Sequence, residues 1–397
     1  MKNDKLKKKK IAFVSPRYGL EVNGGAELYC RQLAEKLVDI FEVEVITTCA
    51  IDYISWKDEY KEGEEELNGV TVRRFKVDLP RNIKEFDKFT PIVLEKGHTI
   101  DDEIKWMNLQ GPTSSKLVQF ISDNKDSYCA VIFIPYLYYT TFFGMQAVQD
   151  KCILIPAAHD EPFIKLEIFK KLFNLPKAII YLTDEEKAFV NELFINEQIP
   201  NTVIGTGIDI PEDIDSNRFR LKYSIFCRFM LYIGRVDESK GCKELFDYFI
   251  RYKQDNISDI KLVLMGKAVM EIPKHPDIIP LGFVSDADKF DGITASEMLV
   301  LPSKYESLSI VVLESMALGR PVVVDGNCIV TSGHCIKGNA GLYYMNYNEF
   351  EAYINLLLYN KKLTHRLGIN GSNYVKDNYQ WNVAKDKLVK LINKNPF

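Results

Sequence analysis

Glu306 and Glu314 lie in the run YESLSIVVLESMALGRPVVV, between residues that are otherwise apolar or hydroxylic. A carboxylate accepts hydrogen bonds and donates none, so two of them at a fixed spacing suit paired hydroxyls such as those of a sugar or a ribose. The preceding EMLVLPS reads as a strand ending at Pro302, which puts Glu306 in the loop beyond the strand's carboxyl end. Ser309 is placed to cap a helix running from about Ile310 to Leu318, with Gly319 as its left-handed stop and Pro321 preventing continuation. In open α/β sheets ligands bind outside the carboxyl ends of strands. There the start of a helix, spanning Ser307, Leu308, Ser309 and Ile310, offers amide N–H groups and partial positive charge to an anion such as a diphosphate.

Other residues are disposed for related chemistry. YIGRVDESKG places Arg235 after a strand and Lys240 before a helix; two cations at the mouth of such a loop suit a diphosphate that gains charge as its bond to a sugar breaks. YGLEVNGGAELYC carries Gly24 and Gly25 ahead of a first helix, where paired glycines allow close backbone approach. IPAAHDEPF puts His159 at the end of an apolar run, with Asp160 and Glu161 beside it. Two D-x-D pairs, Asp213 with Asp215 and Asp286 with Asp288, match a carboxylate pattern that can hold a divalent ion, but both fall in polar connecting segments, where coincidence is the commoner reading, and Arg235 with Lys240 already supplies positive charge.

The elements that must position these residues alternate. KIAFVSP reads as a strand, GGAELYCRQLAEKLVDI as a helix and EVEVITT as a second strand; VTVRRFKV, YCAVIFIP, CILIPAAH, AIIYLT and NTVIGTG continue the series. A second cycle begins at FMLYIGRV and runs through KLVLMGK, IIPLGFV and EMLVLPS. This alternation predicts parallel sheets covered by helices on both faces. GIDIPEDIDSNRFRLKYSI between the cycles reads as a polar linker, and residues 60–115 are the least regular part of the first half.

Length and composition bound the rest. A chain of 397 residues, 46% hydrophobic and 27% charged, suits two or three domains of ordinary size. No apolar run is long enough to span a membrane, and the basic start MKNDKLKKKK precedes an apolar stretch too short for a signal peptide. A cytoplasmic location is expected. The stretch Lys2–Lys10 reads as a solvated terminus, with peripheral contact to an anionic membrane surface as its second reading. Eight cysteines without C-x-x-C pairs read as reduced core thiols rather than disulfides or a zinc site, and a net charge of −4 argues against nucleic-acid binding.

The run from Glu306 to Glu314 resembles the E-x7-E signature of the retaining family-four glycosyltransferases of the group 1 type, and the basic pair, the glycine loop and His159 follow that family's order. The resemblance implies a GT-B architecture: two Rossmann-like domains with parallel sheets facing across a cleft. They would be an acceptor-binding domain over 1–208, a nucleotide-sugar-binding domain over 209–378, and a closing helix over 379–397, anchored by Trp381 and packing back on the first domain. It further implies that Glu306 contacts the donated sugar, Glu314 the ribose, and Arg235 with Lys240 the diphosphate. Gly24 and Gly25, Gly25 especially, would approach the donor phosphate, His159 would face the transferred sugar, and backbone near Phe283 and Val284 would read the base. The family usually has glycine where this chain has Ser309, and a second glycine where it has Lys267.

The function so implied is retaining transfer of a sugar from a nucleotide sugar, UDP-linked by preference or GDP-linked, to a glycan or lipid-linked acceptor in bacterial surface polysaccharide synthesis. The donor is a co-substrate and no metal or other cofactor is required. A noncatalytic nucleotide-sugar-binding protein and a sugar-nucleotide epimerase or phosphorylase on the same architecture are the alternatives. A dehydrogenase is the weakest reading, because the G-x-G-x-x-G dinucleotide fingerprint is missing.

Overall fold

The computed structural model describes residues 8–22 and 24–394. The chain divides into two compact units, Met1–Thr206 with Trp381–Phe397, and Gly207–Gln380. Each is an α/β unit built on a parallel sheet, the class that the alternating strand and helix patterns imply.

Among the described residues the first unit holds eight strands: β1 (Lys10–Val14), β2 (Glu42–Thr48), β3 (Gly63–Leu67), β4 (Val70–Phe75), β5 (Ala130–Phe133), β6 (Cys152–Leu154), β7 (Ala178–Tyr181) and β8 (Asn201–Val203). They lie in the order β3-β4-β2-β1-β5-β6-β7-β8, parallel throughout except for the antiparallel β3–β4 hairpin. Covered on both faces, β1 and β5 are short continuous apolar runs, and Ile11 to Val14 and Ala130 to Phe133 are fully buried. Because β1 is flanked by β2 on one side and β5 on the other, the strand order reverses beside it. The loop carrying Gly24 opens at its carboxyl end.

Two segments differ from the sequence expectation. Residues 60–115 are regular: after the β3–β4 hairpin come helices Ile83–Leu94 and Ile100–Gln110. Pro91 inside the first reads as a breaker, yet Asn82 caps that helix, and Thr99 with Asp102 forms a reciprocal capping box for the second. The polar linker is shorter than expected, because Asp215 caps a helix at Ser216–Tyr223. Phe219 of that helix is buried, and Arg218 pairs with the buried Asp291 at 2.6 Å.

Helix Trp381–Lys394 belongs to the first unit. Lys36 lies 5.7 Å from the centroid of the Trp381 ring, Lys385 pairs with Asp39 at 2.8 Å, and Lys387 donates to the Val203 carbonyl at 3.0 Å. Of the basic terminus, Lys2, Lys5 and Lys7 lie outside the described residues. Lys8 donates to the Val38 carbonyl, and Lys10 opens β1 and pairs with the buried Glu44 at 2.8 Å. No helix among the described residues is long and apolar enough to cross a membrane.

The second unit holds β9 (Phe229–Ile233), β10 (Lys261–Met265), β11 (Ile278–Gly282), β12 (Met298–Leu301), β13 (Val322–Asp325) and β14 (Gly341–Tyr344). All are parallel, in the order β11-β10-β9-β12-β13-β14. The first strand in sequence, β9, sits between β10 and β12, so this sheet also has a switch point, at the carboxyl ends of β9 and β12.

Candidate functional site

Each strand at the second unit's switch point delivers one of the charged motifs. β9 leads to Arg235 and, through the turn Glu238–Lys240, to helix Cys242–Asp255. β12 leads to Pro302, the loop with Glu306, and helix Ile310–Ala317. The two loops touch at Gly241: a Cβ there would overlap the Pro302 carbonyl, and its φ of 75° favours glycine. That close approach brings the Lys240 ammonium to 2.8 Å from a Glu306 carboxylate oxygen, with both side chains part-exposed. Arg235 pairs with Asp237 at 2.7 Å. The cations and Glu306, distant in sequence, are thus gathered at one sheet edge, and each cation is held by a carboxylate.

Glu314 is the fifth residue of its helix and only 6% exposed. Its carboxylate is 2.6 Å from the ammonium of Lys289, which stands on helix Asp286–Ala295 beyond β11. Burial pushes the Glu314 carboxyl above its ordinary value, and the Lys289 charge and hydrogen bond oppose that shift. Phe283, just past β11, is 71% exposed, and Val284 beside it is half-buried.

Ser309 departs from the expected cap. It precedes the helix in the left-handed region at φ 60°, and its side chain makes no capping hydrogen bond. A serine cap requires extended backbone, from which Oγ reaches the second or third amide of the helix; in the left-handed region that geometry is lost. Ser309 Oγ is instead buried without a hydrogen-bond partner among the described residues. Ser309→Gly is therefore expected to stabilise the ligand-free protein by about 1 kcal/mol, since the left-handed cost and the orphaned hydroxyl outweigh the glycine's extra unfolded-state entropy. Chemical denaturation of the two proteins measures it, and a loss of stability would show that the hydroxyl is satisfied.

The loop is held from beneath by a residue with no sequence signal. His334, on helix Ile329–Gly338, is fully buried, with Nε2 2.8 Å from the Leu308 carbonyl. A carbonyl only accepts, so Nε2 carries the proton, and Nδ1 faces the hydroxyls of Tyr374 at 3.2 Å and Tyr379 at 3.3 Å. A lone histidine in TSGHCIKG gives no hint of this bond.

The remaining predicted residues lie in the first unit. Gly24 precedes helix Gly25–Leu37, and a Cβ on it would overlap the Glu27 carboxylate. Glu27 forms a buried ion pair with Arg17, whose Nε donates to it at 3.0 Å. A Cβ on Gly25 would meet no atom within 4 Å, so the space beside Gly25 is open while Gly24 answers a packing need.

His159 lies in the loop after β6, five residues past its end and part-exposed, with Nδ1 3.9 Å from Glu161. Glu161 accepts from the Tyr136 hydroxyl at 2.6 Å, and Asp160 pairs with Lys165 on the surface. Buried Glu186 sets the backbone leading into this loop, accepting the amides of Ala158 at 2.7 Å and Leu182 at 2.6 Å. The T-x-x-E pattern from Thr183 to Glu186 marks a helix start, but the carboxylate reaches across to the β6 loop. Burial pushes this carboxyl from its ordinary 4.5 up to about 8 against its backbone donors.

A raised acid pKa means that the folded state holds the proton longer than the unfolded chain, so stability is greatest below pH 4.5 and falls as pH rises to about 8. Glu186→Gln removes the titrating group, at a pH-independent cost for the one backbone amide that its NH2 cannot accept. Its unfolding free energy relative to wild type, measured by chemical denaturation, is expected to climb between pH 5 and about 8, with a slope of at most about 1.4 kcal/mol per pH unit. Parallel curves would show that the carboxyl titrates normally.

The D-x-D aspartates are otherwise engaged. Asp215 caps a helix, Asp213 pairs with Arg218 at 2.9 Å, Asp288 pairs with Lys222 at 2.8 Å, and Asp286 lies 3.4 Å from Lys289.

Known proteins are similar to this chain in sequence and fold. The model of the family "Glycosyl transferases group 1" matches residues 215–374, the stretch containing both glutamates and both cations. An uncharacterized glycosyltransferase of Methanocaldococcus jannaschii is 24% identical, over 96% of this chain and 97% of its own. Sucrose-phosphate synthase from Thermosynechococcus elongatus superposes with a TM-score of 0.73 at 18% identity, covering 98% of this chain and 99% of that one. HepE of Anabaena, solved in complex with UDP-glucose, superposes with a TM-score of 0.70 at 13% identity over 97% and 99%. Residues 215–374 thus form a glycosyl transferases group 1 domain, in a chain with the two-domain α/β fold of its GT-B glycosyltransferase neighbours.

Proposed function

We propose that the protein is a retaining glycosyltransferase that takes a sugar from a nucleotide-sugar donor, UDP-linked by preference and GDP-linked as the alternative, to a glycan or lipid-linked acceptor, in the synthesis of a surface polysaccharide. The observation that carries this reading is the Lys240–Glu306 pair at a sheet switch point, with Arg235 in the same loop as Lys240 and Glu314 on the helix that follows Glu306. The donor is assigned to the second unit. Its diphosphate would face the amides from Ser307 to Ile310, with Arg235 and Lys240 stabilising charge on the leaving group. Glu306 would accept from hydroxyls of the sugar and Glu314 from those of the ribose, while backbone beside Phe283 and Val284 would contact the base. The UDP-glucose held by the similar Anabaena protein supports the UDP preference.

In the first unit, Gly24, Gly25 and His159 are assigned to the acceptor side, with Gly25 nearest the donor phosphate and His159 toward the transferred sugar. Retention follows if the departing diphosphate oxygen takes the acceptor proton on the face from which it leaves. This route needs no protein nucleophile and no metal. Peripheral membrane contact through Lys2–Lys10 and a cytoplasmic location belong to the same proposal.

Measuring binding and slow hydrolysis across a panel of UDP- and GDP-sugars tests it. One donor is expected to bind and turn over, and Glu314→Ala and Arg235→Ala are each expected to abolish both in folded protein. Absence of binding at millimolar donor would remove the assignment and favour a binding role for another ligand.

A further inference from the structure

Lys289 has no part in the site as read from sequence, yet it is the residue that holds Glu314. Its helix begins beyond β11, and Ser285 caps it by accepting from the Asp288 amide, which places Lys289 in the first turn, on the rim of the switch-point crevice. Its side chain is 15% exposed and that of Glu314 is 8% exposed. Burying two opposite charges costs several kcal/mol per ion, and an apolar pair of similar volume would serve stability as well or better. The residues three and four positions from Glu314 on the same face of its helix, Ile310, Val311, Ala317 and Leu318, are apolar, so a leucine there would meet apolar company. The ion pair is therefore poorly explained by folding and well placed for recognition.

We infer that Lys289 and Glu314 read the nucleotide's ribose together, with Lys289 donating a hydrogen bond to the oxygen of a ribose hydroxyl whose proton Glu314 accepts. The inference rests on the proposed function, which puts the ribose at Glu314. The chemistry is complementary: each hydroxyl has one proton to give and lone pairs to receive, a carboxylate can meet only the first need, and an ammonium can meet only the second. Lys289 has three N–H groups. One faces Glu314 at 2.6 Å and a second faces Asp286 at 3.4 Å; the ammonium also lies 4.5 Å from the centroid of the Phe290 ring, a contact that engages no hydrogen-bond acceptor, so the third N–H can turn to the sugar. A site built from buried polar groups rejects a ligand lacking the matching hydroxyl far more strongly than an apolar site does. Ribonucleotides would accordingly be favoured over their deoxy forms at this position.

The test is calorimetric titration of the full chain with UDP, GDP and their 2′-deoxy and 3′-deoxy forms. Wild type is expected to bind one ribonucleotide at least tenfold more tightly than a deoxy form. Lys289→Met, which keeps the aliphatic volume, is expected to weaken that ribonucleotide at least tenfold but the affected deoxy form less than threefold. The same inequality should persist when Lys289→Met is introduced into Glu314→Gln, where no buried carboxylate remains to be neutralised. Equal losses for ribo and deoxy ligands, or no further loss in the Glu314→Gln background, would reduce Lys289 to a counter-ion and overturn the inference while leaving the donor site intact. A wild type that binds no nucleotide overturns the proposed function and this inference together. Lys289→Gln replaces the Met variant if melting shows the latter unfolded.

Discussion

Lys240→Ala is expected to lower donor turnover by about a hundredfold to a thousandfold, the usual loss when a group that stabilises developing charge is removed. Lys240 ends the Glu238–Lys240 turn, and Gly241 locks that turn against Pro302, so its ammonium is a fixed charge rather than a roaming one. Its 2.8 Å contact with Glu306 adds a second consequence. Removing the lysine leaves a carboxylate uncompensated where, on the proposed function, a leaving diphosphate would gain negative charge, so the single change should be worse than the loss of one cation. Glu306→Gln in the same chain removes that repulsion. The double variant is therefore expected to be no slower than Lys240→Ala and to recover part of the loss, because the two residues act as a unit. Stability should change by less than about 1 kcal/mol, since the pair is part-exposed. Single-turnover hydrolysis of the donor gives the rates, and strictly multiplicative losses in the double variant would show the two side chains to be independent.

The charged residues of this site were legible because their types and their place after strands carry chemistry: Glu306 and Glu314 flank a helix start, and Arg235 and Lys240 bracket a turn. The alternation of strand and helix patterns likewise yields two α/β units without knowledge of any contact. Pairing across the chain was not legible. That Lys240 would meet Glu306 depends on β9 lying beside β12, and that Lys289 would meet Glu314, 25 residues on, depends on their two helices sharing one rim. Local rules failed where tertiary structure overrides them. Ser309 obeys the composition of an N-cap but not its backbone, and Glu186 obeys the capping-box pattern but spends its carboxylate on the β6 loop. Residues 60–115 read as irregular, yet the Asn82 cap and the buried Val93 sustain a helix across Pro91.

His334→Phe is expected to destabilise the protein by about 2–3 kcal/mol, because it keeps the ring's bulk while stripping the Leu308 carbonyl of a buried donor. For a unit of this size that corresponds to a melting temperature lower by roughly 5–10 °C. His334→Gln keeps an amide donor near the position of Nε2 and should recover about half. The two tyrosines lose less, since their hydroxyls already lie 3.1 Å apart and can satisfy each other. The effect should also reach ligand binding: the Leu308 carbonyl belongs to the peptide leading into Ser309, and its rotation would turn the following amides away from an anion at the helix start. Nucleotide affinity is thus expected to fall more in the Phe variant than in the Gln variant, an order that general loosening of the unit does not predict. The bond network extends further. Tyr379, whose hydroxyl faces His334, accepts the Ile208 amide on its own carbonyl at 3.2 Å, at the place where the chain enters and leaves the second unit. One buried imidazole therefore joins the ligand-side loop to both crossing segments, and Tyr379→Phe, which keeps the backbone bond, should leave stability within about 1 kcal/mol of wild type.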